Sequence, residues 1–278
     1  MDDNAFDAES QQKQVLAQLL ALDDNDSLEG DEMRPLRLAL EFMKADRALI
    51  EKGIASTVVV FGSHLIVSPE VADAVLSQTT DAESLARAKQ QRALSAWYEE
   101  ARQFGRIVSE RGGALSSDGP RRNVLATGGG PGIMEAANRG ATEAGAPSIG
   151  FNIALPQEQL PNPYITPGLG FSFRYFAIRK MHFAMRASAL AIFPGGFGTL
   201  DEFFEILTLK QTRKMAPIPV ILFSSAYWTT LFDFGALVER GTIQKDDARL
   251  FQIVDGVEEA WDVLAGTGLM SETASREP

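Results

Sequence analysis

Apolar positions recur at helical spacing along "QQKQVLAQLLAL" and again along "DEMRPLRLALEFMKADRALIEKG", which predicts a helical first fifth of the chain, with residues 1 to 9 disordered. The pattern then changes. "STVVVFGS", Ser56 to Ser63, is a short β-branched run without alternation, as expected of a parallel strand covered on both faces. A long helical stretch from Asp81 to Glu110 follows. Beyond it strand-like and helix-like runs take turns: "NVLAT" then "PGIMEAANRGATEAG"; "PSIGFNIAL" then a proline-rich loop; "GFSFR" then "YFAIRKMHFAMRA"; "LAIF" then "TLDEFFEILTLKQT"; "PVILF" then "AYWTTLFDFGALVERG". This βαβα order predicts an α/β fold, a doubly wound parallel sheet with helices on both faces. The final "GTGLMSETASREP" has no period. The expected organisation is a helical extension over 1–53, a main domain over 54–267 and a mobile tail over 268–278.

Composition narrows the chemistry. A chain of 278 residues with 45% hydrophobic content can bury a full core. It has no cysteine, which excludes disulfides, thiol catalysis and cysteine-based zinc sites, and its two histidines, His64 and His182, offer little for a metal, so none is expected. A net charge of −11 argues against nucleic acid as a partner, because phosphate-backbone binding needs clustered Lys and Arg. The acidic start "MDDNAFDAESQQ" is unlike a signal peptide, and no apolar run approaches the ~20 residues of a membrane helix. A cytoplasmic protein is expected.

In a doubly wound sheet, ligands bind beyond the carboxyl ends of the strands. Three glycine-bearing loops fall there: "FGSH" (Phe61 to His64), "TGGGPG" (Thr127 to Gly132) and "FPGGFGT" (Phe193 to Thr199). Such loops let backbone N–H groups approach an anion, and the helix behind adds its unpaired N–H groups and dipole. Pro131 suits a first helical position, where its missing N–H costs nothing. The plainer reading is that Gly128 to Gly130 merely permit a tight turn; two clusters at one edge favour a bound anion. Neither cluster is a dinucleotide fingerprint, since Ile133 and Asp201 stand where a third glycine is needed, and no Gly-Lys-Ser/Thr of a P-loop follows.

Thr199 to Glu202 also fits a capping box, in which Thr199 and Glu202 would have only a structural role. That explanation leaves Gly196 and Gly198 unexplained. A carboxylate beside a bound phosphate needs a fixed cation, and Arg179 is the candidate, carried by the basic segment "RYFAIRKMHFAMR", in which Arg186 lies seven residues further along the same helical face. A solvated basic face is the alternative for Lys180 and Arg186. His182 reads as an ordinary histidine.

"TGGGPGIMEAANRGA", "YFAIRKMHFAMRASALAIFPGGFGTLDE" and "LTLKQT" together resemble the LOG family, the cytokinin riboside 5′-monophosphate phosphoribohydrolases, whose signature PGGxGTxxE is met by Pro194, Gly195, Gly196, Gly198, Thr199 and Glu202. The resemblance runs from about Thr57 to Trp261, and the N-terminal helices resemble those of the longer bacterial relatives. It implies a Rossmann-like enzyme that cleaves the N-glycosidic bond of a nucleoside 5′-monophosphate such as AMP, an AMP nucleosidase type of hydrolase, without a cofactor. Glu202 and Arg179 would be catalytic. Gly195, Gly196, Gly198 and Thr199 would hold the 5′-phosphate, and Gly62, Ser63, Gly129, Gly130, Glu135 and Lys180 would line the nucleotide site. Relatives are often labelled lysine decarboxylases, but no pattern for a pyridoxal cofactor supports that chemistry. A nucleotide-binding or carrier protein without catalysis is the alternative, and a scaffold working through its N-terminal helices is a third.

The helix "LDEFFEILTLKQT" carries Phe203, Phe204, Ile206, Leu207 and Leu209 around more than one face. The family resemblance adds pairing through helices beside the active site, so a homodimer or larger homo-oligomer is expected; cover by the segment Gln11 to Gly53 of the same chain is the alternative.

Overall fold

The structure is a computed structural model that describes residues 28–155 and 160–269. Residues 1–44 and 45–278 group into two compact units. In the described part of the first, a 3₁₀ turn Asp31–Met33 leads into helix α1, Arg34–Glu51, with Arg34 paired to Asp31 at 2.5 Å. The helix expected over "QQKQVLAQLLAL", the first nine residues and the tail from residue 270 lie outside the described residues.

The second unit is built on seven parallel strands: β1 Thr57–Phe61, β2 Val124–Thr127, β3 Ser148–Ile153, β4 Gly170–Phe173, β5 Ala187–Ile192, β6 Val220–Phe223 and β7 Gln252–Val254, in the order β4-β3-β2-β1-β5-β6-β7. The α/β doubly wound class is therefore found as expected. β7 is an addition to the strands read from the sequence: at three residues, with Gln252 exposed, it has neither the length nor the apolar run that marks a strand. The helices are α2 Pro69–Gln78, α3 Ala82–Leu94, α4 Ala96–Arg111, α5 Ile133–Glu143, α6 Phe176–Met185, α7 Phe197–Gln211, α8 Ser225–Leu231, α9 Phe234–Glu239 and α10 Val257–Gly266. The stretch from Asp81 to Glu110 is not one helix but two. It breaks at the buried Ser95, whose side chain bonds back to the Arg92 carbonyl at 2.7 Å while its own N–H still reaches Gln91 and Arg92.

Both sheet faces are covered. Val58, Val60, Leu125, Ala189, Ala191, Ile221 and Phe223 turn to a core completed by Tyr98, Ala101, Phe104 and Val108 of α4, Ala136 and Ala137 of α5, and Ala260 and Leu264 of α10. Alternation sends Phe61 and Phe151 the other way, where both meet the ring of Phe183 on α6, at 4.8 and 5.3 Å. On α7, Phe203 packs on Trp228 of α8. From β1 the chain winds outward to β4, then returns to place β5 beside β1 and winds the other way. The carboxyl ends of β1 and β5 thus flank the point where the winding reverses, the place at which such sheets bind ligands.

Candidate active site

Ser63 ties the three glycine loops into one structure. Its N–H donates to the Pro194 carbonyl at 3.0 Å, its carbonyl accepts from Ile133 N–H at 3.1 Å, and its Oγ accepts from Leu65 N–H at 3.1 Å. A Cβ on Gly62 would stand 2.5 Å from the Ile133 side chain, so Gly62 lets the start of α5 close against β1. Both residues belong to the frame of the site.

The TGGG loop is held by buried polar side chains that the sequence did not single out. Thr127 Oγ1 accepts from Gly129 N–H at 2.9 Å and donates to Asn138 Oδ1 at 2.7 Å. Asn162 donates to that same oxygen and to the Gly130 carbonyl, both at 3.0 Å, while its N–H reaches the Gly129 carbonyl at 2.8 Å. Gly129, at φ +73°, has its N–H committed inside the loop, and a Cβ there would fall 1.9 Å from Asn152 Oδ1. Gly132, at φ +74°, is the N-cap of α5, which begins at Ile133. Pro131 therefore precedes the helix instead of opening it. Glu135 lies in the first turn of α5 and accepts from the buried Tyr98 hydroxyl at 2.8 Å.

The FPGGFGT loop differs in kind. α7 begins at Phe197 with Gly196 as its N-cap, and no side chain caps it. The capping box is absent: Thr199 is the third residue of the helix, packed where a Gly195 Cβ would come 2.2 Å from its Oγ1, and Glu202 lies one turn further on, facing inward. The first internal bond runs from Leu200 N–H to the Gly196 carbonyl at 3.0 Å, so the N–H groups of Phe197, Gly198 and Thr199 precede the internal ladder. Cβ atoms added to Gly196 or Gly198 would meet nothing within 4 Å, and neither has positive φ. Packing within the chain requires neither glycine, although Gly196 as N-cap suits a residue type common there. They border open space in front of uncapped N–H groups.

Arg179 and Glu202 come together behind this loop. Arg179 on α6 donates from Nε to the Phe151 carbonyl at 2.7 Å and lies over the Phe183 ring at 5.1 Å. Its Nη2 would be 2.6 Å from a Cβ on Gly128, which is how that glycine admits the guanidinium. Burial lowers the Arg179 pKa, opposed by the charges of Glu202 and Asp201. Glu202 is 5% exposed, and burial raises its pKa to about 7 against the pull of Lys180 and Arg179. Lys180 bridges Asp201 and Glu205, at 2.7 Å to each, and so fastens α6 to α7 beside the site. A groove of about 640 Å³ runs along α7, lined by Lys180, Phe197, Leu200, Asp201 and Phe204 among others.

Arg186 does not share the Arg179 face. The helix ends at Met185, and Arg186, its C-cap, pairs with Asp46 at 2.6 Å while its carbonyl accepts from Thr57 N–H at the opposite end of β1. His182 is an ordinary core histidine, packed on Phe151 and Phe173. Among the described residues no three His, Asp or Glu side chains gather as metal ligands, and no helix is long and apolar enough to cross a membrane.

The sheet and loops define an α/β protein whose three glycine-bearing loops gather at one edge of the sheet. Residues 134–264 match the family described as "Possible lysine decarboxylase", a LOG-type family and the one that the motifs resemble. Among solved structures the chain is similar to TM1055, at 20% identity over 76% of this chain and 99% of that one, with a TM-score of 0.47. It is also similar to the molybdenum cofactor binding protein of the phototrophic bacterium Rippkaea orientalis, at 19% identity over 76% and 96%, TM-score 0.45. A third is the Moco carrier protein of Chlamydomonas reinhardtii, at 20% identity over 78% and 98%, TM-score 0.45. No curated protein shows significant similarity to the chain.

Proposed function

We propose that the protein hydrolyses the N-glycosidic bond of nucleoside 5′-monophosphates, releasing free base and ribose 5-phosphate. The observation that carries this reading is the pairing of a buried, near-neutral-pKa Glu202 with Arg179 behind two glycines that border open space at the start of α7. In this reading the 5′-phosphate lies against the N–H groups at the start of α7, neutralised by the helix dipole. As the bond between base and ribose stretches, positive charge grows on the anomeric carbon. The Glu202 carboxylate stabilises that charge and takes a proton from the attacking water, whose oxygen completes the ribose while the base leaves with the bonding electron pair and gains a proton. Arg179 stays charged and acts by position and field, not as an acid.

Lysine decarboxylation does not fit these residues. A pyridoxal group needs a lysine available for a Schiff base, but Lys180 is held between two carboxylates and Lys210 bonds the Leu250 carbonyl at the far end of α7. A carrier that binds a nucleotide without cleaving it would use the same loops but has no need of an ionisable carboxylate withdrawn from water.

Incubation with AMP decides between hydrolysis and binding alone. Free adenine and ribose 5-phosphate are expected, and Glu202→Ala should still bind AMP while losing ~10²- to 10³-fold in kcat, as for removal of one preorganised electrostatic group. Binding without any adenine release would leave the carrier reading standing. Turnover by Glu202→Ala near that of the wild type would remove Glu202 from the mechanism.

A further inference from the structure

The loop before α7 is gripped from a side that none of the motifs touches. Tyr227 on α8 donates its hydroxyl to the Gly195 carbonyl at 2.5 Å, across 32 residues of sequence. The approach of α8 is fixed at several points. Ser224, which follows β6, has φ +82° and ψ +91°, a conformation that non-glycine residues seldom adopt, and its N–H donates to the carbonyl of Val254, the last residue of β7. The same Ser224 caps α8, its Oγ accepting from Tyr227 N–H at 3.2 Å, and Ser225 N–H donates to Asp255 at 2.7 Å. The next residue, Trp228, is buried, bonds the Phe223 carbonyl at 2.9 Å and packs on Phe203 of α7. A strained turn, a cap and a buried indole thus combine to aim one phenol at one carbonyl.

We propose that Tyr227 is a positioning residue that holds the Gly195–Gly196 peptide in the orientation needed to receive the substrate's phosphate. The peptide unit is planar and trans, so its C=O and N–H point in opposite directions. With the Gly195 carbonyl drawn to Tyr227, the Gly196 N–H faces away from α8, and the plane cannot turn without breaking the bond. Rotation is otherwise easy, because Gly196 has open space around its α-carbon and no side chain to resist it. A turned peptide presents a carbonyl oxygen, which repels phosphate where a donor should attract it. The clamp is thus specific for the phosphate end of the substrate, and the role rests on the phosphate reading given above.

Tyr227→Phe removes the hydroxyl and keeps the ring, and an unchanged thermal midpoint establishes that the variant is folded. Two measurements then apply to wild type and variant: calorimetric binding of ribose 5-phosphate, and the ratio of kcat/KM for AMP to that for adenosine. Loss of one neutral hydrogen bond predicts ribose 5-phosphate binding weaker by about 3- to 10-fold, with the AMP-to-adenosine ratio falling by the same factor. Adenosine carries no phosphate, so its own kcat/KM should be unaltered. A merely structural tyrosine would slow both substrates equally and leave the ratio intact, which overturns the proposal. So does unaltered ribose 5-phosphate affinity in the variant when the wild type binds it. Wild-type protein that does not bind ribose 5-phosphate, or cleaves adenosine as well as AMP, removes the phosphate reading itself and this role with it.

Discussion

Glu202 is placed where an ionised carboxylate is costly. Its pKa of about 7, against 4.5 for an ordinary glutamate, reflects burial that outweighs the nearby Lys180 and Arg179 charges. Because the folded value lies above the unfolded one, the folded chain favours the protonated side chain. That contribution to stability is complete below about pH 4.5 and is lost as the pH rises through 7. Glu202→Gln has nothing to ionise and escapes the loss. Between pH 4.5 and 8 the wild type should therefore fall in stability relative to Glu202→Gln by about 3 kcal/mol, measured by urea denaturation at the two pH values. Parallel behaviour of the two proteins would mean that water reaches the carboxylate. The ionised form is the one that stabilises a cationic transition state, so kcat/KM for AMP should rise with pH to half its maximum near 7. On the proposed mechanism, the ionisation that weakens the fold is the one that activates Glu202.

At the scale of elements, the start of α7 separates packing from ligand binding. Gly198 is the second residue of that helix, exposed, with room for a Cβ and no positive φ. By helix propensity alone, Gly198→Ala should stabilise the protein by up to about 1 kcal/mol. If the open space is where phosphate docks, the same methyl displaces it from a charge-assisted hydrogen bond, about 1.5 to 3 kcal/mol, and ribose 5-phosphate binding should weaken roughly tenfold or more. A stabilised variant with wild-type affinity would locate the phosphate elsewhere. Much of this region is legible in the sequence, because a short apolar run ending in a glycine-rich loop and followed by a helix-length segment is a local pattern. The parts that are not legible are long-range or ambiguous. Tyr227 and Asn162 each reach their glycine carbonyl across 32 residues, and no local spacing announces either contact. The Thr199–Glu202 spacing suits a capping box and suits equally a third and a sixth helical residue turned inward; only the position of Gly196 as N-cap decides. The break at Ser95 is hidden because helical periodicity continues on both sides of it.

At the scale of the whole molecule, the surface beside the site is unusually apolar. Phe197 is 93% exposed, and Phe176, Met181 and Met185 on α6 and Phe204 on α7 are exposed as well, whereas Phe203 and Ile206 of α7 are buried in the core. The apolar excess of α7 is therefore narrower than its sequence suggests, but α6, fastened to it through Lys180, extends it. A chain of net charge −11 that leaves such side chains open beside its glycine loops has a reason to cover them with a second copy of itself. We therefore expect a homodimer or larger symmetric oligomer joined through α6 and α7, which would also withdraw the site from bulk water. Phe197→Asp combined with Met181→Asp places charge in the middle of that surface while leaving the core untouched. Sedimentation at micromolar concentration should show the wild type at twice the 30.2 kDa chain mass or more, and the double variant at the chain mass. A wild type that sediments at the chain mass rejects the oligomer.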